Sequence, residues 1–182
     1  MGPAIEPLLD VGAAVVGDRF RTLFDAEFRY VWTSLGRLGI ADRDREDLAS
    51  EVFFRIHRRM ADLDPSRPVR PWLFAFAARV ASEHRKRAQT RNEGLGAAGD
   101  AGSSAVEPRS AHGNADRELV GLAMESLDID KRAVFVMHFV DGFTAPEIAR
   151  ALDIPLGTTY TRLRAARDLF TCAVRRIRKA ER

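Results

Sequence analysis

The chain is poor in the residues that build disulfides, metal sites and membrane spans. It has one cysteine in 182 residues, which excludes an intramolecular disulfide and any Cys-x-x-Cys metal site. That residue, Cys172, is expected as a small packed thiol on the last helix. The histidines His57, His84, His112 and His138 are scattered, with no zinc-like spacing. No run of about 18 apolar residues occurs, so no transmembrane helix is expected. The mildly apolar stretch Met1 to Gly17 contains Glu6 and Asp10 and no early Lys or Arg, which makes it a poor secretion signal. A cytoplasmic protein is expected. Convergent acid–base pairs, Gly-rich phosphate loops and metal constellations are also missing. The expectation is therefore a non-enzyme with no catalytic residues, no cofactor and no metal.

Charge of one sign does not dominate either. Charged residues make up 30% of the chain, yet the formal net charge is only +3. The distribution says more than the sum. His84-Arg85-Lys86-Arg87 and Arg175-Arg176-Ile177-Arg178-Lys179 are basic clusters, whereas acids concentrate between Asp42 and Glu51. A basic cluster is usually a solvated face, so each needs a second argument.

Strand signals are almost absent and helical periodicity is strong, so the fold class is all-α. A tail over 1–17 precedes a first helix from about Asp18, its expected N-cap, to Leu38, with Phe20, Phe24, Phe28, Val31, Leu35 and Leu38 in one stripe. A second helix is expected from Arg43 to Met60, with Leu48, Val52, Phe53, Ile56 and Met60 inward. The segment Ala61 to Arg70 contains two prolines and reads as a loop. A third helix from Pro71 to Gln89 turns Leu73, Phe76, Ala77 and Val80 inward. The composition then changes: Thr90 to Ala115 holds five of the thirteen glycines and no periodic apolar pattern, as a flexible linker does. A second helical block runs from Asp116 to the end. The chain thus divides into a tail (1–17), a first module (18–89), a tether (90–115) and a second module (116–182).

The second module ends in FTAPEIARALDIPLGTTYTRLRAARDL, Phe143 to Leu169. Thr144 and Glu147 make a capping box, Ile148, Ala149 and Leu152 repeat at helical spacing, and Asp153-Ile154-Pro155 ends that helix. Pro155 suits the first turn of the next one. On this helix Leu156, Thr159, Leu163, Ala166 and Phe170 share one face. The opposite face carries Gly157, Thr158, Thr161 and Ala165, flanked by Arg162 and Arg164. Small side chains let a helix approach base edges, and flanking guanidiniums reach guanines or phosphates. That is the layout of a recognition helix in a helix-turn-helix; a helical hairpin with a solvated basic face has the same pattern.

In the first module, Phe54 projects from the second helix opposite its apolar stripe, beside Asp47, Ser50, Glu51 and Arg58. An exposed aromatic in a charged rim is common on surfaces and also has the make-up of a docking hot spot. The third helix carries Arg79, Ser82, Arg85 and Lys86 on its outer face. Just before it lies the polar loop Asp62 to Pro68, with Asp64, Ser66 and Arg67, and with Trp72 and Phe74 close behind. Basic groups beside a polar loop and aromatics suit single-stranded nucleic acid. An ordinary basic helix with Trp72 in the core fits the same residues.

Taken together, the two modules resemble the bacterial extracytoplasmic-function (group four) sigma factors of RNA polymerase. DREDLASEVFFRIHRR (Asp44 to Arg59) is similar to that family's core-polymerase-binding segment, PWLFAFAARVASEHRKR (Pro71 to Arg87) to its promoter-melting, minus-ten helix, and EIARALDIPLGTTYTRLRAARDLF (Glu147 to Phe170) to its minus-thirty-five helix-turn-helix. The chain departs at Ser50, where the family usually has Gln, at Ala78-Arg79 for Arg-Asn, at Glu83 for Asp, and at Thr159-Tyr160 for Val-Lys. The resemblance implies an all-α protein that binds core RNA polymerase and directs it to promoter DNA. By it, Asp47, Ser50, Glu51, Phe54 and Arg58 face polymerase. Asp62, Asp64, Ser66, Arg67, Arg79, Ser82, Arg85 and Lys86 take the minus-ten strand. Gly157, Thr158, Tyr160, Thr161, Arg162, Arg164 and Arg167 read the minus-thirty-five duplex. An anti-sigma factor, often membrane-bound, is a further expected partner, and the free chain is expected to be a monomer.

Promoter elements about 17 base pairs apart, at about 3.4 Å each, are roughly 60 Å apart along the axis. A 26-residue tether reaches about 85 Å, enough for both modules to engage one promoter. The alternative is a stand-alone helix-turn-helix regulator, which binds paired half-sites as a symmetric dimer.

Overall fold

The structure is a computed structural model that describes residues 7–94 and 114–180. These residues form helices and turns, with no strand among them. In chain order the helices are α1 (Pro7–Arg37), α2 (Asp42–His57), α3 (Val69–Gly94), α4 (Asn114–Glu125), α5 (Ile129–Phe135), α6 (Ala145–Leu152) and α7 (Leu156–Ala180). A 3-10 turn, Met60–Asp62, follows α2, and a π-helical turn, Val136–Val140, follows α5.

Local chemistry sets most of these boundaries. Asp42 and Asp44 lie in the first turn of α2, where the positive end of the helix dipole favours carboxylates. Arg45 Nε donates to the Ile40 carbonyl at 2.9 Å and lies over the Trp32 ring, which fixes the α1–α2 corner. Gly39 turns that corner at φ +87°, a conformation open to glycine at little cost. At α5, the Asp128 carboxylate accepts from the Lys131 backbone N–H at 2.8 Å, a side-chain N-cap.

Packing in the first module follows the expected stripes. Leu48, Val52, Phe53, Ile56 and Met60 are buried, as are Leu73, Phe76, Ala77 and Val80. Phe53 gathers the aromatics of α1 around it, with ring centroids 6.3 Å from Phe20, 4.8 Å from Phe24 and 6.0 Å from Phe28. Helix α3 departs from a one-sided pattern: Leu73, Phe74, Ala75, Phe76, Ala77 and Ala78 are all buried. Six successive residues cover the whole circumference of a helix, so α3 is enclosed. Helices α1 and α2 pack on one side of it, and α5 and α6 of the second module pack on the other. One apolar cluster therefore runs from Val31 and Phe53 through α3 to Ala145, Ile148 and Leu163.

Several boundaries differ from the sequence expectation. The backbone is helical from Pro7, so 7–17 is part of α1 and Asp18 is an interior residue whose carbonyl accepts from the Thr22 hydroxyl at 2.9 Å, not an N-cap. Extending a helix already nucleated by packing costs little. Residues 1–6 of the expected tail lie outside the described residues. Helix α2 stops at His57, three residues early, and α3 begins at Val69, so Pro71 sits inside its first turn. By the same economy α3 continues past Gln89 to Gly94, five residues into the expected tether, and α4 begins at Asn114. The rest of the tether, 95–113, lies outside the described residues. Cys172, expected to be packed, is exposed because α7 turns Ala173 rather than its neighbour inward.

Phe53 carries the first module's aromatic packing. Phe53→Ala is expected to cost about 3–5 kcal/mol, measured as a lowered midpoint in urea unfolding followed by circular dichroism.

Candidate nucleic-acid interface

The helix-turn-helix is built as its sequence requires. The Glu147 carboxylate accepts from both the backbone N–H and the hydroxyl of Thr144, at 2.8 and 2.7 Å. The hydroxyl bond, then the backbone bond, holds the Glu147 carboxyl below the usual carboxylate range. Asp153 closes α6 in the left-handed region at φ 55°, and the Ile154 N–H reaches back to the Ala149 carbonyl at 3.0 Å. Aspartate tolerates that conformation better than most residues. The Thr159 N–H then bonds the Pro155 carbonyl at 3.0 Å and starts α7.

Helix α7 turns Thr159, Leu163, Ala166 and Ala173 inward. Gly157, Tyr160, Thr161, Arg164 and Arg167 are exposed, Tyr160 at 56%, and Thr158 is half-buried. Their spacing makes one outward face of small, aromatic and cationic groups. The Thr161 hydroxyl donates to the Gly157 carbonyl at 2.9 Å, which spends its proton and leaves its oxygen as an acceptor. Arg162 stands apart from this face. Its Nη2 donates to Asp130 of α5 at 2.6 Å, so it ties the recognition helix to its own module. Leu156, expected inward, is 43% exposed, whereas Thr159 one turn on is fully buried.

The residues expected at the minus-ten strand divide into a loop and a helix. In the loop, Asp62 accepts from Arg59 Nε at 2.6 Å. Asp64 accepts from the Ser66 backbone N–H at 3.0 Å and the Ser66 hydroxyl at 2.6 Å, and its other oxygen lies 2.9 Å from Arg67 Nε. The Ser66 hydroxyl is the first cause that keeps the Asp64 carboxyl below its ordinary range. Asp62, Asp64, Ser66 and Arg67 are all exposed, so the loop is organised by its own bonds while its surface stays open. On α3, Arg79 and Lys86 are exposed, with the Arg79 guanidinium over the Phe76 ring. Ser82 and Arg85 are half-buried, and Arg85 points toward Gly39 of the α1–α2 corner. Trp72 is half-buried and meets Phe76 edge-on at 4.9 Å, a packing role.

Helix α2 presents Asp47, Ser50 and Phe54 to solvent, with Phe54 64% exposed, and Arg58 is exposed just after it at the C-cap. Glu51 is half-buried and bonds Arg55 Nη2 at 2.5 Å. Arg55 also grips Glu83 of α3 with both terminal nitrogens, at 2.9 and 2.7 Å. Glu83, at one of the positions where the sequence departs from its resemblance, thus joins α2 to α3. The Arg55 bond holds its carboxyl below the ordinary range.

Two polar groups at the junction of the modules carried no signal in the sequence. Asp141 follows the π turn and accepts from the Tyr30 hydroxyl at 2.7 Å and from Arg37 Nη1 at 2.9 Å. Arg132 on α5 is buried, donates to the Met124 carbonyl through Nε at 3.0 Å, and is pushed down to about 10 by burial, with Arg85 a lesser cause. An Asp-Gly pair reads as a turn and a lone arginine as solvated. Only the assembled fold reveals their partners.

The Glu83 carboxyl is depressed in the fold, so its stabilising contribution is present above the unfolded value of about 4.3 and is lost as pH falls through the folded value. Glu83→Gln is expected to lower stability by about 1 kcal/mol or less at pH 7. Melting curves of the variant and wild type should converge in acid.

Residues 23–91 match the family Sigma-70 region 2, and residues 117–169 match Sigma-70, region 4. The chain is 29% identical to the ECF RNA polymerase sigma factor SigL of Mycobacterium tuberculosis over 156 residues, 85% of this chain and 88% of that one. It is 24% identical to the ECF RNA polymerase sigma factor SigX of Bacillus subtilis over 74% of this chain and 73% of that one. Among solved structures, the sigma factor RpoE of Bartonella quintana, in complex with the anti-sigma factor NepR, superposes with a TM-score of 0.69 at 18% identity. That match covers 86% of this chain and 97% of the other, and at this identity it speaks for the fold.

Proposed function

The chain belongs to the extracytoplasmic-function class of sigma-70 factors, and we propose from that premise how its residues divide the work of initiation. As a member of that class it is an initiation factor that binds core RNA polymerase and directs it to specific promoters. It supplies recognition, and the polymerase supplies the chemistry of RNA synthesis.

The observation that carries the reading is the presence of both matched regions on one chain, each with its own open polar face. The α2 surface of Asp47, Ser50, Phe54 and Arg58 is the polymerase-docking face. An exposed aromatic ringed by charge gives a hot spot with a solvated rim. The loop over 62–68 and the exposed cations of α3, Arg79 and Lys86, take the minus-ten strand after melting. A base swung out of the stack meets a loop that Asp64 has already ordered, so less conformational entropy is lost on capture. Helix α7 enters the minus-thirty-five major groove. Gly157 and Thr161 allow close approach, Arg164 is placed to fork onto a guanine, and Tyr160 offers a ring edge and a hydroxyl. Two unlike DNA faces on one chain suit an asymmetric promoter read by a monomer, rather than the paired half-sites of a dimeric regulator.

RpoE is known bound to NepR. By analogy, an anti-sigma factor is proposed as this chain's inhibitor, and the cytoplasm as its place of action. No helix among the described residues is long and apolar enough to cross a membrane.

Core polymerase mixed with this protein and a promoter library should give promoter-specific transcripts that core polymerase alone does not. Tight DNA binding by the free protein, with no such transcripts, would overturn the reading in favour of a stand-alone regulator. Phe54→Glu should weaken capture of core polymerase in a pull-down and leave the circular dichroism spectrum unchanged. Arg164→Ala should cost about 1–3 kcal/mol in binding to the preferred duplex, with relaxed selectivity at one base pair if the contact is to a base.

A further inference from the structure

We propose that Arg85 and Arg132 form a binding site for a small free oxyanion of the phosphate class, seated against Gly39 at the α1–α2 corner. The site gives Arg85 a partner other than the minus-ten strand expected from its place on α3. It stands on the geometry of three elements and does not depend on the division of labour proposed above.

Two guanidiniums from different helices converge on one point. Arg85 leaves α3, Arg132 leaves α5, and both arrive at Gly39 in the turn between α1 and α2. A β-carbon at Gly39 would collide with Arg132 Nη1 and lie 3.0 Å from Arg85 Nη2. Only a glycine leaves room there for two cations side by side. Arg132 is held firmly: the residue is 4% exposed, and its Nε and Nη2 both donate to the Met124 carbonyl near the end of α4. That grip leaves Nη1 directed at the corner. Arg85 is half-buried and makes no hydrogen bond or ion pair among the described residues.

Other arginines that bridge helices in this chain meet carboxylates: Arg37 meets Asp141, Arg55 meets Glu51 and Glu83, and Arg162 meets Asp130. At Gly39 a cation meets a cation. Burial and then Arg85 push the Arg132 guanidinium down to about 10, against a weaker pull from the exposed Glu125. Like charges shielded from water repel more strongly than solvated ones, and a buried charge with no countercharge is costly. An anion with several oxygens and more than one negative charge relieves both. Guanidinium forks match phosphate oxygens with paired N–H donors. The amides of the corner take no part, because the Leu38, Gly39 and Ile40 N–H groups already bond the Ser34, Gly36 and Leu35 carbonyls at 2.9, 2.9 and 3.0 Å. Recognition therefore falls to the two side chains. With Arg132 enclosed, the site suits a free ion rather than a phosphate carried on a nucleotide.

The test is calorimetric titration of the full chain with inorganic phosphate, at an ionic strength held constant with sodium chloride, beside thermal melts followed by circular dichroism. The wild type should bind one phosphate and melt higher as phosphate replaces chloride. Arg85→Gln should bind phosphate about tenfold more weakly, the worth of one charge-assisted hydrogen bond, and its midpoint should no longer respond to phosphate. Arg85→Glu, which sets a carboxylate opposite Arg132, should melt above the wild type in phosphate-free buffer and bind no phosphate. Arg43→Gln, which removes an 84% exposed cation from α2, should bind phosphate as the wild type does. Equal phosphate affinity in the wild type and both Arg85 variants would overturn the site, because the ion would then lie elsewhere on the basic faces. A melting shift that chloride alone reproduces would overturn it too. Adenosine monophosphate at the same concentration should leave the phosphate titration unchanged. Competition by that nucleotide, abolished by Arg85→Gln, would overturn the assignment to a free ion.

Discussion

The enclosure of α3 is the constraint on which the rest of the molecule depends. A helix with apolar residues on every side cannot be satisfied by one layer of neighbours. Helices α1 and α2 cover one side of it, and the segment from Leu73 to Ala78 is buried only because α5 and α6 lie against the other. The first module is thus a three-helix unit whose central helix keeps an apolar flank for another surface. Here the second module fills it, and the same helix bears the cations assigned to DNA.

That sharing explains why the polar contacts between the modules differ in kind from those within them. Inside the first module, Arg55 grips Glu51 and Glu83 and fixes α2 to α3. Inside the second, Arg162 fixes α7 to Asp130. Each of these pairs lies within one module. Between the modules, groups that are well solvated when apart, a carboxylate, a phenol and a guanidinium, meet beside an opposed pair of arginines.

The fold class and the helix-turn-helix were readable because local rules and tertiary packing agree there. Thr144 and Glu147 cap α6, Asp153 ends it and Pro155 begins the next helix, each for a reason contained within a few residues. The α2 stripe was equally plain, and Phe54 stands out of it as its spacing required. Helix ends were less legible: α1 and α3 run on through Gly17 and Thr90 because elongation is cheap once packing has nucleated a helix. In the interface, sequence spacing placed Arg162 on the edge of the DNA face, but a carboxylate 32 residues away claims it. Asp141 was invisible for a deeper reason. Its partners are more than 100 residues distant, and nothing near it in the chain asks for them. One clue was available: LFAFAA is apolar all round, and such a helix needs a second covering.

The π turn over Val136–Val140 bears on how such a chain can change over generations. Its wide ring, closed by the Asp141 N–H to Val136 carbonyl bond at 3.0 Å, carries one residue more than an α-helical turn would. His138 Nδ1 and the Met137 carbonyl then hold Phe143 at 2.8 and 2.9 Å, so the extra residue is absorbed before α6 begins. Each residue in an α-helix turns the chain by about 100°. On this geometry, loss of one residue from the turn would swing Asp141 away from Tyr30 and Arg37 while leaving the cap of α6 and the outward residues of α7 intact. The contact between the modules and the outward face of α7 therefore depend on different parts of the chain, and a change in one need not disturb the other.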